Sequence, residues 1–212
     1  ADISFPGQWT MRVVRSAVAH GRIKSIDAGA ALALPGVHAV WAHRDVADLP
    51  PIPFRLTGLK ELEPYQQPVL AKDVVRYVGE PVAVVFADNH YVAEDAADLV
   101  GVEIEPLPPV MSATGQPGAF APDLITEPSV LRKKYGDIDA AFRNAAAVVE
   151  LELSIGRHTG VPLETRGAIA RYDEMRDLLE LHGAAKVPHW NRDTLAQMLG
   201  RKRDSVQLYE GH

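Results

Sequence analysis

The chain has 212 residues, of which 47% are hydrophobic and 24% charged, as in an ordinary soluble globular protein with one large or two small domains. Its net charge of −6, without a dominant basic stripe, argues against a nucleic-acid-binding role. Because it contains no cysteine, disulfides, thiolate zinc sites, cysteine-ligated iron–sulfur clusters and a cysteine nucleophile are excluded within it.

No targeting or membrane signal is recognisable in the sequence. Residues 1–10 lack the charged and then apolar layout of a signal peptide, and no apolar run approaches the ~20 residues that a helical membrane span requires. Together with the absence of cysteine, this favours a cytoplasmic protein. The chain starts with Ala1 rather than Met, which predicts a piece of a longer chain.

The first 110 residues predict an alternation of strands and helices. Residues 9–18 alternate and are rich in β-formers, which is typical of a strand. An Ala- and Leu-rich helix is predicted at residues 28–34, with Asp27 as its N-cap and Gly36 as its stop signal. The next predicted strand is Val37–Ala42.

The stretch 50–68 is irregular and rich in proline, so it is either a functional or mobile loop or a plain surface excursion. Two short strands are predicted after it, at residues 69–71 and 74–78. Pro81–Ala87 is almost continuously apolar, which indicates a buried central strand. Residues 89–100 have the pattern of an amphipathic helix.

Residues 102–105 predict a further strand that carries Glu103 and Glu105 on one face. Two carboxylates at this spacing could form an acid/base pair, but a solvated sheet face explains them more simply. Residues 111–134, rich in Gly, Pro, Ala and Thr, predict an extended linker.

The last part of the chain predicts elements that do not close a core by themselves. Asp137 is a natural cap for a short helix at Ile138–Asn144. Further strands are predicted at residues 148–155, 168–172, 178–182 and 206–209, and a helix at residues 192–199. The basic cluster 201–203 follows that helix, where positive charge is favourable near a helix C-terminus.

The sequence contains none of the common short motifs for metal binding, phosphate binding or nucleophilic catalysis. The eight histidines include no pair at i,i+4 and no His-Glu-x-x-His, so a zinc site built from this chain alone is not expected. Glycine-rich phosphate loops and a Gly-x-Ser-x-Gly nucleophile elbow are also missing from the sequence.

A family resemblance goes further than these patterns. Segments 15–27, 34–40 and 69–84 resemble the amino-terminal hammerhead domain of molybdenum hydroxylase large subunits, the xanthine dehydrogenase, aldehyde oxidase and carbon monoxide dehydrogenase family. Segments 161–168 and 188–200 resemble the start of that family's molybdopterin-binding domain. The resemblance implies an α+β fold, with an α/β hammerhead domain at 1–110, a linker at 111–134 and the truncated start of an α+β molybdopterin-binding domain at 135–212.

The resemblance also implies an oxidoreductase that hydroxylates or oxidises a small molecule, such as an aldehyde or an N-heterocycle, with water as the oxygen source. Its cofactor would be molybdenum on a molybdopterin, with FAD and iron–sulfur clusters on other domains or subunits. The implied partners are the rest of the molybdopterin-binding domain, the FAD and iron–sulfur subunits and the small-molecule substrate.

The resemblance assigns neither a catalytic nor a metal-ligating residue to this chain. In the family, a segment like 209–212 continues into a Gly-Gly-Phe-Gly-x-Arg loop, and the catalytic glutamate lies still further along. We therefore expect the isolated chain to be inactive and to bind no molybdenum cofactor.

One cofactor-facing position can be mapped from the family. Lys186 occupies the position of a glutamine that contacts the molybdenum centre in many relatives, and its positive charge would suit an anionic oxo ligand, phosphate or substrate. A plain surface lysine at a strand end is the alternative. Glu164 and Arg166 are interpreted as an ion pair or hydrogen bonds at the domain junction rather than as ligand contacts.

Two other functions stay open from the sequence. The chain could be a stand-alone hammerhead protein that serves as a binding or assembly module without catalysis, or, with less support, a hydrolase that uses loop 50–68. A coding sequence that continues into Gly-Gly-Phe-Gly would favour the hydroxylase, whereas turnover of an ester would be needed to support the hydrolase.

Overall fold

The computed structural model describes residues 3–55, 58–156, 158–161, 163, 165–183 and 186–210. Contacts divide the chain into two units, Ala1–Pro128 with Met198–Gly200, and Ser129–Gln197 with Arg201–His212. Among the described residues, no helix has the length and apolar character that a membrane crossing requires.

The first unit contains three small sheets and two α-helices within the described residues. Its strands are β1 Thr10–Arg15, β2 Gly21–Asp27, β3 Val37–Ala42, β4 Val74–Val75, β5 Pro81–Ala87, β6 Gly101–Pro106, β7 Ala119–Ala121 and β8 Leu124–Ile125. Its helices are α1 Gly29–Leu32 and α2 His90–Asp98, with 3-10 helices at His43–Val46 and Lys60–Tyr65. The sheet orders are β1–β5–β3, β4–β2–β6 and β7–β8, and every pairing in them is antiparallel.

The central strand β5 carries the core of this unit. Val85 packs with Ala96 and Val100 on one of its faces, while Val82 packs with Ala71 and other apolar side chains on the opposite face. Burial of each valine contributes roughly 1.5–3 kcal/mol. The prediction of a buried central strand at Pro81–Ala87 is therefore confirmed. A strand that is covered on both faces is apolar on both, so its sequence does not alternate between apolar and polar residues.

Strand β2 was not predicted, and a β-bulge explains why. The register of β2 against β6 shifts between Ile23 and Ser25, so that Ile23 and Ile26 both pack against the core. A regular strand would place side chains three residues apart on opposite faces. The extra residue of the bulge returns both isoleucines to one face and hides the alternation in the sequence.

Several predicted boundaries differ from the structure. Residues 69–71 form no strand; Leu70 and Ala71 are buried in a loop, where the Ala71 N–H donates to the Pro81 carbonyl at 2.8 Å. Strand β4 ends at Val75 because the chain then turns toward Glu80, whose side chain accepts the Arg76 N–H at 2.5 Å. The helix predicted at residues 28–34 is only the four-residue α1.

Loop 50–68 is tied to the segment that was expected to be an extended linker. Residues 119–125 of that segment form the β7–β8 hairpin within the first unit. The Tyr65 hydroxyl donates to the Ile125 carbonyl at 2.8 Å, and the Tyr65 and Phe120 rings lie 4.5 Å apart. The Arg76 guanidinium lies over the Phe120 ring at 4.3 Å. The described part of the loop therefore belongs to a packed cluster.

Glu103 and Glu105 lie on the solvated face of β6. The Ser25 hydroxyl donates to Glu103 at 3.2 Å, and Glu105 lies within 4 Å of two cations, Arg22 at 3.9 Å and Lys24 at 3.7 Å. These exposed cross-strand pairs support the interpretation as a solvated sheet face. An acid/base role is not supported.

The second unit is built around one three-stranded sheet. Its elements are α3 Ile138–Asn144, β9 Ala168–Asp173, β10 Leu178–Gly183, α4 Pro188–Met198, a 3-10 helix Arg203–Ser205 and β11 Val206–Tyr209. The predicted cap of α3 is confirmed, since the Asp137 carboxylate accepts the Ala140 N–H at 2.9 Å.

The strand predicted at residues 148–155 is wrong. These residues form no regular element, and their apolar side chains are exposed, with Leu153 at 84% and Ile155 at 86%. Alternation describes side chains, but a strand also needs a partner for its backbone hydrogen bonds. No described strand pairs with this segment.

Gly21 is a position where β2 and β6 approach too closely for a side chain. A Cβ there would lie 2.4 Å from Ile104 Cγ2 and 2.9 Å from the Glu105 carbonyl oxygen. We expect Gly21→Ala to lower the free energy of unfolding by ~1–3 kcal/mol, as overpacking does. The matched control is Gly101→Ala in the paired strand, where a Cβ meets nothing closer than 3.6 Å. Urea unfolding followed by tryptophan fluorescence checks this; equal midpoints for the two variants would contradict it.

Glu80 is only 2% exposed, and this burial raises the pKa of its carboxyl. A raised folded pKa favours the protonated form, so its stabilising contribution is present below the unfolded pKa and is lost as pH rises through the folded value. We expect Glu80→Gln to be at least as stable as the parent at neutral pH, because it keeps an acceptor for Arg76 N–H without the buried charge.

The control for this prediction is Glu80→Ala, which removes the acceptor of the part-buried Arg76 N–H. It should cost ~1–3 kcal/mol in the free energy of unfolding. Urea unfolding at several pH values measures both variants, and a Glu80→Gln protein as unstable as Glu80→Ala at neutral pH would refute the assignment.

Candidate functional site

The sheet of the second unit has the order β9–β10–β11. Strands β9 and β10 are antiparallel, with Ala168 opposite Gly183, whereas β10 and β11 are parallel, with His182 opposite Tyr209. A parallel pair requires a crossover, which here contains α4. We call the edge where β10 and β11 end and β9 begins the carboxyl edge.

The carboxyl edge brings together three segments that are distant in sequence. Arg166 lies two residues before the start of β9, Lys186 follows β10, and Glu210 follows β11. Helix α4 begins two residues after Lys186, so its positive amino end also belongs to this edge. Ligands of open α/β sheets bind outside the carboxyl ends of the parallel strands. The described residues 165–168 and the amino end of α4, which belong to the two family-like segments, thus lie at one edge.

Helix α4 begins at Pro188, four residues earlier than predicted. Proline is favoured in the first turn of a helix because the N–H that it lacks would have no partner there. The predicted helix at residues 192–199 did not include this proline start. The earlier start brings the amino end of α4 close to Lys186 in sequence.

Gly183 allows two segments of this edge to approach closely. Its φ is +159°, and a Cβ at this position would lie 2.6 Å from the Gly167 carbonyl oxygen and 3.1 Å from the Ala168 Cα. A side chain would force β9 and β10 apart where the edge is formed. A glycine at the end of a strand pattern was the sequence signal for this close approach, and it was not used.

Three exposed side chains that are cationic or ionisable lie near this edge, namely Lys186, Arg166 and His189. Within the described part of the chain, no ion pair joins Lys186 or Arg166 to an acidic side chain. Glu164, the expected partner of Arg166, lies outside the described residues. The assignment of Lys186 to cofactor binding stays a prediction.

Behind the edge lies a nearly buried carboxylate. Glu180 is 8% exposed, and its oxygens lie 3.8 Å from Arg171 Nη1 and 3.7 Å from Arg176 Nη1. The Tyr209 hydroxyl donates to Glu180 Oε1 at 3.4 Å, and the Tyr209 ring stacks on His182 with centroids 4.5 Å apart and an interplanar angle of 12°. The two arginines supply the positive charge that a buried carboxylate requires.

The opposite edge of the sheet is closed by a polar cluster. The Tyr172 hydroxyl donates to Asp177 Oδ1 at 2.8 Å, and Arg201 Nη2 donates to the same carboxylate and, at 2.9 Å, to the Asp177 carbonyl. The hydrogen bonds from Tyr172 and then Arg201 lower the pKa of Asp177. This cluster joins the β9–β10 turn to the chain that leads from α4 into β11.

The basic cluster 201–203 therefore has specific partners. Arg201 binds Asp177, and the Arg203 Nε donates to Asp193 Oδ1 of α4 at 2.6 Å. The sequence interpretation, a favourable charge near the helix C-terminus, missed these contacts because both carboxylates are remote in sequence.

Metal-ligating side chains do not cluster in the described structure. Among the described residues, no group of three or more His, Cys, Asp or Glu side chains is arranged to hold a metal ion.

Family models match both parts of the chain. Residues 1–108 match the model of the aldehyde oxidase and xanthine dehydrogenase a/b hammerhead domain, and residues 122–210 match the molybdopterin cofactor-binding domain. The chain belongs to the aldehyde oxidase and xanthine dehydrogenase family. The resemblance inferred from the sequence and the α+β fold class are thereby confirmed.

Individual relatives support the same membership. The chain is 41% identical to the gamma subunit of the 6-hydroxypseudooxynicotine dehydrogenase complex of Paenarthrobacter nicotinovorans, over 98% of this chain and 27% of the relative. It is also 41% identical to the nicotine 6-hydroxylase large subunit of the same organism, over 94% of this chain and 25% of the relative. The chain spans about a quarter of the length of these relatives.

Solved structures give the same result for the fold. The crystal structure of quinoline 2-oxidoreductase from Pseudomonas putida 86 superposes with a TM-score of 0.81 at 33% identity, covering 99% of this chain and 27% of that one.

The Asp177 cluster makes a testable prediction about pH. Because the folded pKa of Asp177 is lowered, its stabilising contribution is present above the unfolded pKa of about 3.9 and is lost as pH falls through the folded value. We expect Asp177→Asn to destabilise the second unit at neutral pH, with the difference from the parent shrinking in acid. Asparagine tolerates the positive φ of 47° at this position, so the backbone is retained.

Thermal unfolding of both proteins between about pH 2 and pH 7, a range that spans the unfolded pKa of aspartate, measures this difference. The matched control is Asp139→Asn, an exposed carboxylate in α3 of the same unit. A stability difference for Asp177→Asn that does not change with pH would contradict the assignment.

Proposed function

We propose that this chain supplies the hammerhead domain and the first part of the molybdopterin-binding domain of a molybdenum hydroxylase large subunit. The whole protein would be an oxidoreductase that hydroxylates a small molecule with water as the oxygen source. The observation that carries the proposal is that residues 165–168 and the amino end of α4 lie together at the carboxyl edge, beside a lysine that forms no ion pair with another described residue.

The proposed substrate class is an N-heterocyclic aromatic compound. Nicotine and quinoline are N-heterocycles, and they are named for a 41% identical relative and a 33% identical solved structure. Carbon monoxide and an aldehyde are named for relatives that are 33% identical to this chain, which equals the quinoline structure but is below the 41% of the nicotine 6-hydroxylase. The names of the more similar relatives therefore favour the heterocycle.

The chemistry of the carboxyl edge suits an anionic group such as the phosphate of a molybdopterin. Lys186 would donate a charge-assisted hydrogen bond to an anionic oxygen of cofactor or substrate, and the amino end of α4 would favour the same charge. Arg166 would add a second cation at the start of β9. When bound, the molybdenum cofactor supplies the two-electron oxidation of the substrate carbon.

The residues of this chain would bind and orient the cofactor and the substrate. Other groups would carry the electrons away from the molybdenum. The Lys186 ammonium has three hydrogen-bond donors and no acceptor. An amide side chain at this position could both donate and accept, whereas the lysine can bind only acceptor atoms. The proposal also places FAD and iron–sulfur clusters on other domains or subunits, since the oxidation needs an electron outlet. A relative that is named a complex subunit supports an assembly of several chains.

The role of Lys186 can be tested by charge reversal. In protein carrying this chain and purified with its molybdenum cofactor, we expect Lys186→Glu to lower the molybdenum content about tenfold or more. The reason is that a hydrogen bond to a charged group contributes ~1.5–3 kcal/mol. Lys186→Gln should lower it less, because an amide still donates. Elemental analysis for molybdenum, normalised to protein, measures both.

The matched control is Lys202→Glu, an exposed lysine of the same unit that precedes β11 at the opposite edge. Its molybdenum content should stay at the parental value. Equal molybdenum content in Lys186→Glu and Lys202→Glu would remove Lys186 from the site. A parent protein without molybdenum, and without dye reduction by nicotine or quinoline, would refute the proposed function itself.

A further inference from the structure

Tyr209 is the last residue of β11, and its ring is held on one face of the sheet. It lies opposite His182 in the parallel pairing, and the two rings stack with centroids 4.5 Å apart and an interplanar angle of 12°. Stacked aromatic side chains in adjacent strands stabilise the register of the pair. The stack therefore lies at the point where the chain leaves the sheet for the carboxyl edge.

Glu180 provides the second contact to Tyr209. It lies two residues before His182 on the same face of β10, and its Oε1 accepts the Tyr209 hydroxyl at 3.4 Å. Arg171 and Arg176 lie within 4 Å of this carboxylate, at 3.8 Å and 3.7 Å. Because Glu180 is nearly buried and paired with both cations, it offers Tyr209 a fixed acceptor.

We propose that Tyr209 is a positioning residue, held by the His182 ring and the Glu180 carboxylate, which sets the direction in which the backbone leaves β11 through Glu210. This inference rests on the proposed function only in taking the carboxyl edge as the cofactor site. Tyr209 acts through the backbone that follows it, and its own side chain faces His182 and Glu180.

The two contacts are not equal in strength. An O–H···O hydrogen bond usually has a length of about 2.5–3.0 Å, so the 3.4 Å contact to Glu180 is weak. The ring stack has ordinary geometry for an aromatic pair. We therefore expect Tyr209→Phe to retain the positioning, and Tyr209→Leu, which loses the stack, to lose it.

Hydrogen exchange of the amides in residues 207–210 tests the positioning directly. Tyr209→Leu should accelerate this exchange by about two- to tenfold, the factor expected from the loss of one aromatic pair. Tyr209→Phe should stay at the parental rate. Exchange in β9 and in the central strand β5 should not change in either variant, because the loss is local to the end of β11.

Molybdenum content in the cofactor-loaded protein is the second measurement. It should fall severalfold in Tyr209→Leu and be retained in Tyr209→Phe, so that the conservative variant rescues the loss. The matched control is Tyr135→Leu, the same substitution at a tyrosine of the second unit that is 97% exposed. That variant should change neither the amide exchange of residues 207–210 nor the molybdenum content.

The outcomes separate this inference from the proposed function. Parental exchange at residues 207–210 in Tyr209→Leu would overturn the positioning role, even if the parent binds molybdenum. Equal acceleration of these amides by Tyr135→Leu would also overturn it, because the effect would then not be specific to the ring stack at Tyr209. Faster exchange in Tyr209→Leu, with a parent that binds no molybdenum, would support the positioning role and refute the proposed function.

Discussion

The parallel pairing of β10 with β11 is the constraint on which the candidate site depends. Two parallel neighbours cannot be joined by a tight turn, so the chain must leave β10, cross over and return to start β11 from the other end. The crossover contains α4, and it forces Lys186, the amino end of α4 and the end of β11 to the same edge. The antiparallel strand β9 begins at that edge and adds Arg166.

The two edges of this sheet use their charged residues differently. Arg201 at one end and Arg171 and Arg176 near the middle are paired with the carboxylates Asp177 and Glu180, where they hold the hairpin and the buried face together. The lysine at the carboxyl edge forms no ion pair with another described residue. Cations that hold a fold are neutralised by nearby carboxylates, whereas a cation for an external anion must stay available. The sheet thus separates its structural charges from its candidate binding charges.

Local physics explains which elements could be predicted from the sequence. Pro81–Ala87 has the continuous apolar pattern of a buried strand, and the cap at Asp137 is a contact between near neighbours, so both predictions were confirmed. The bulge between Ile23 and Ser25 concealed β2 because it breaks the period of two. The strand predicted at residues 148–155 was wrong because alternation does not provide a pairing partner.

The sequence by itself determined the local elements, the family and the choice of Lys186 as a candidate, since periodicity, caps and family-like segments are readable along the chain. Only the tertiary structure decided that residues 166, 186 and 210 share an edge, that Gly183 must lack a side chain, and that Tyr209 stacks on His182. These facts depend on which strands pair and in which direction. Pairing between residues that lie far apart in the chain is selected by packing and hydrogen bonding of the whole sheet, and it leaves no local pattern to read.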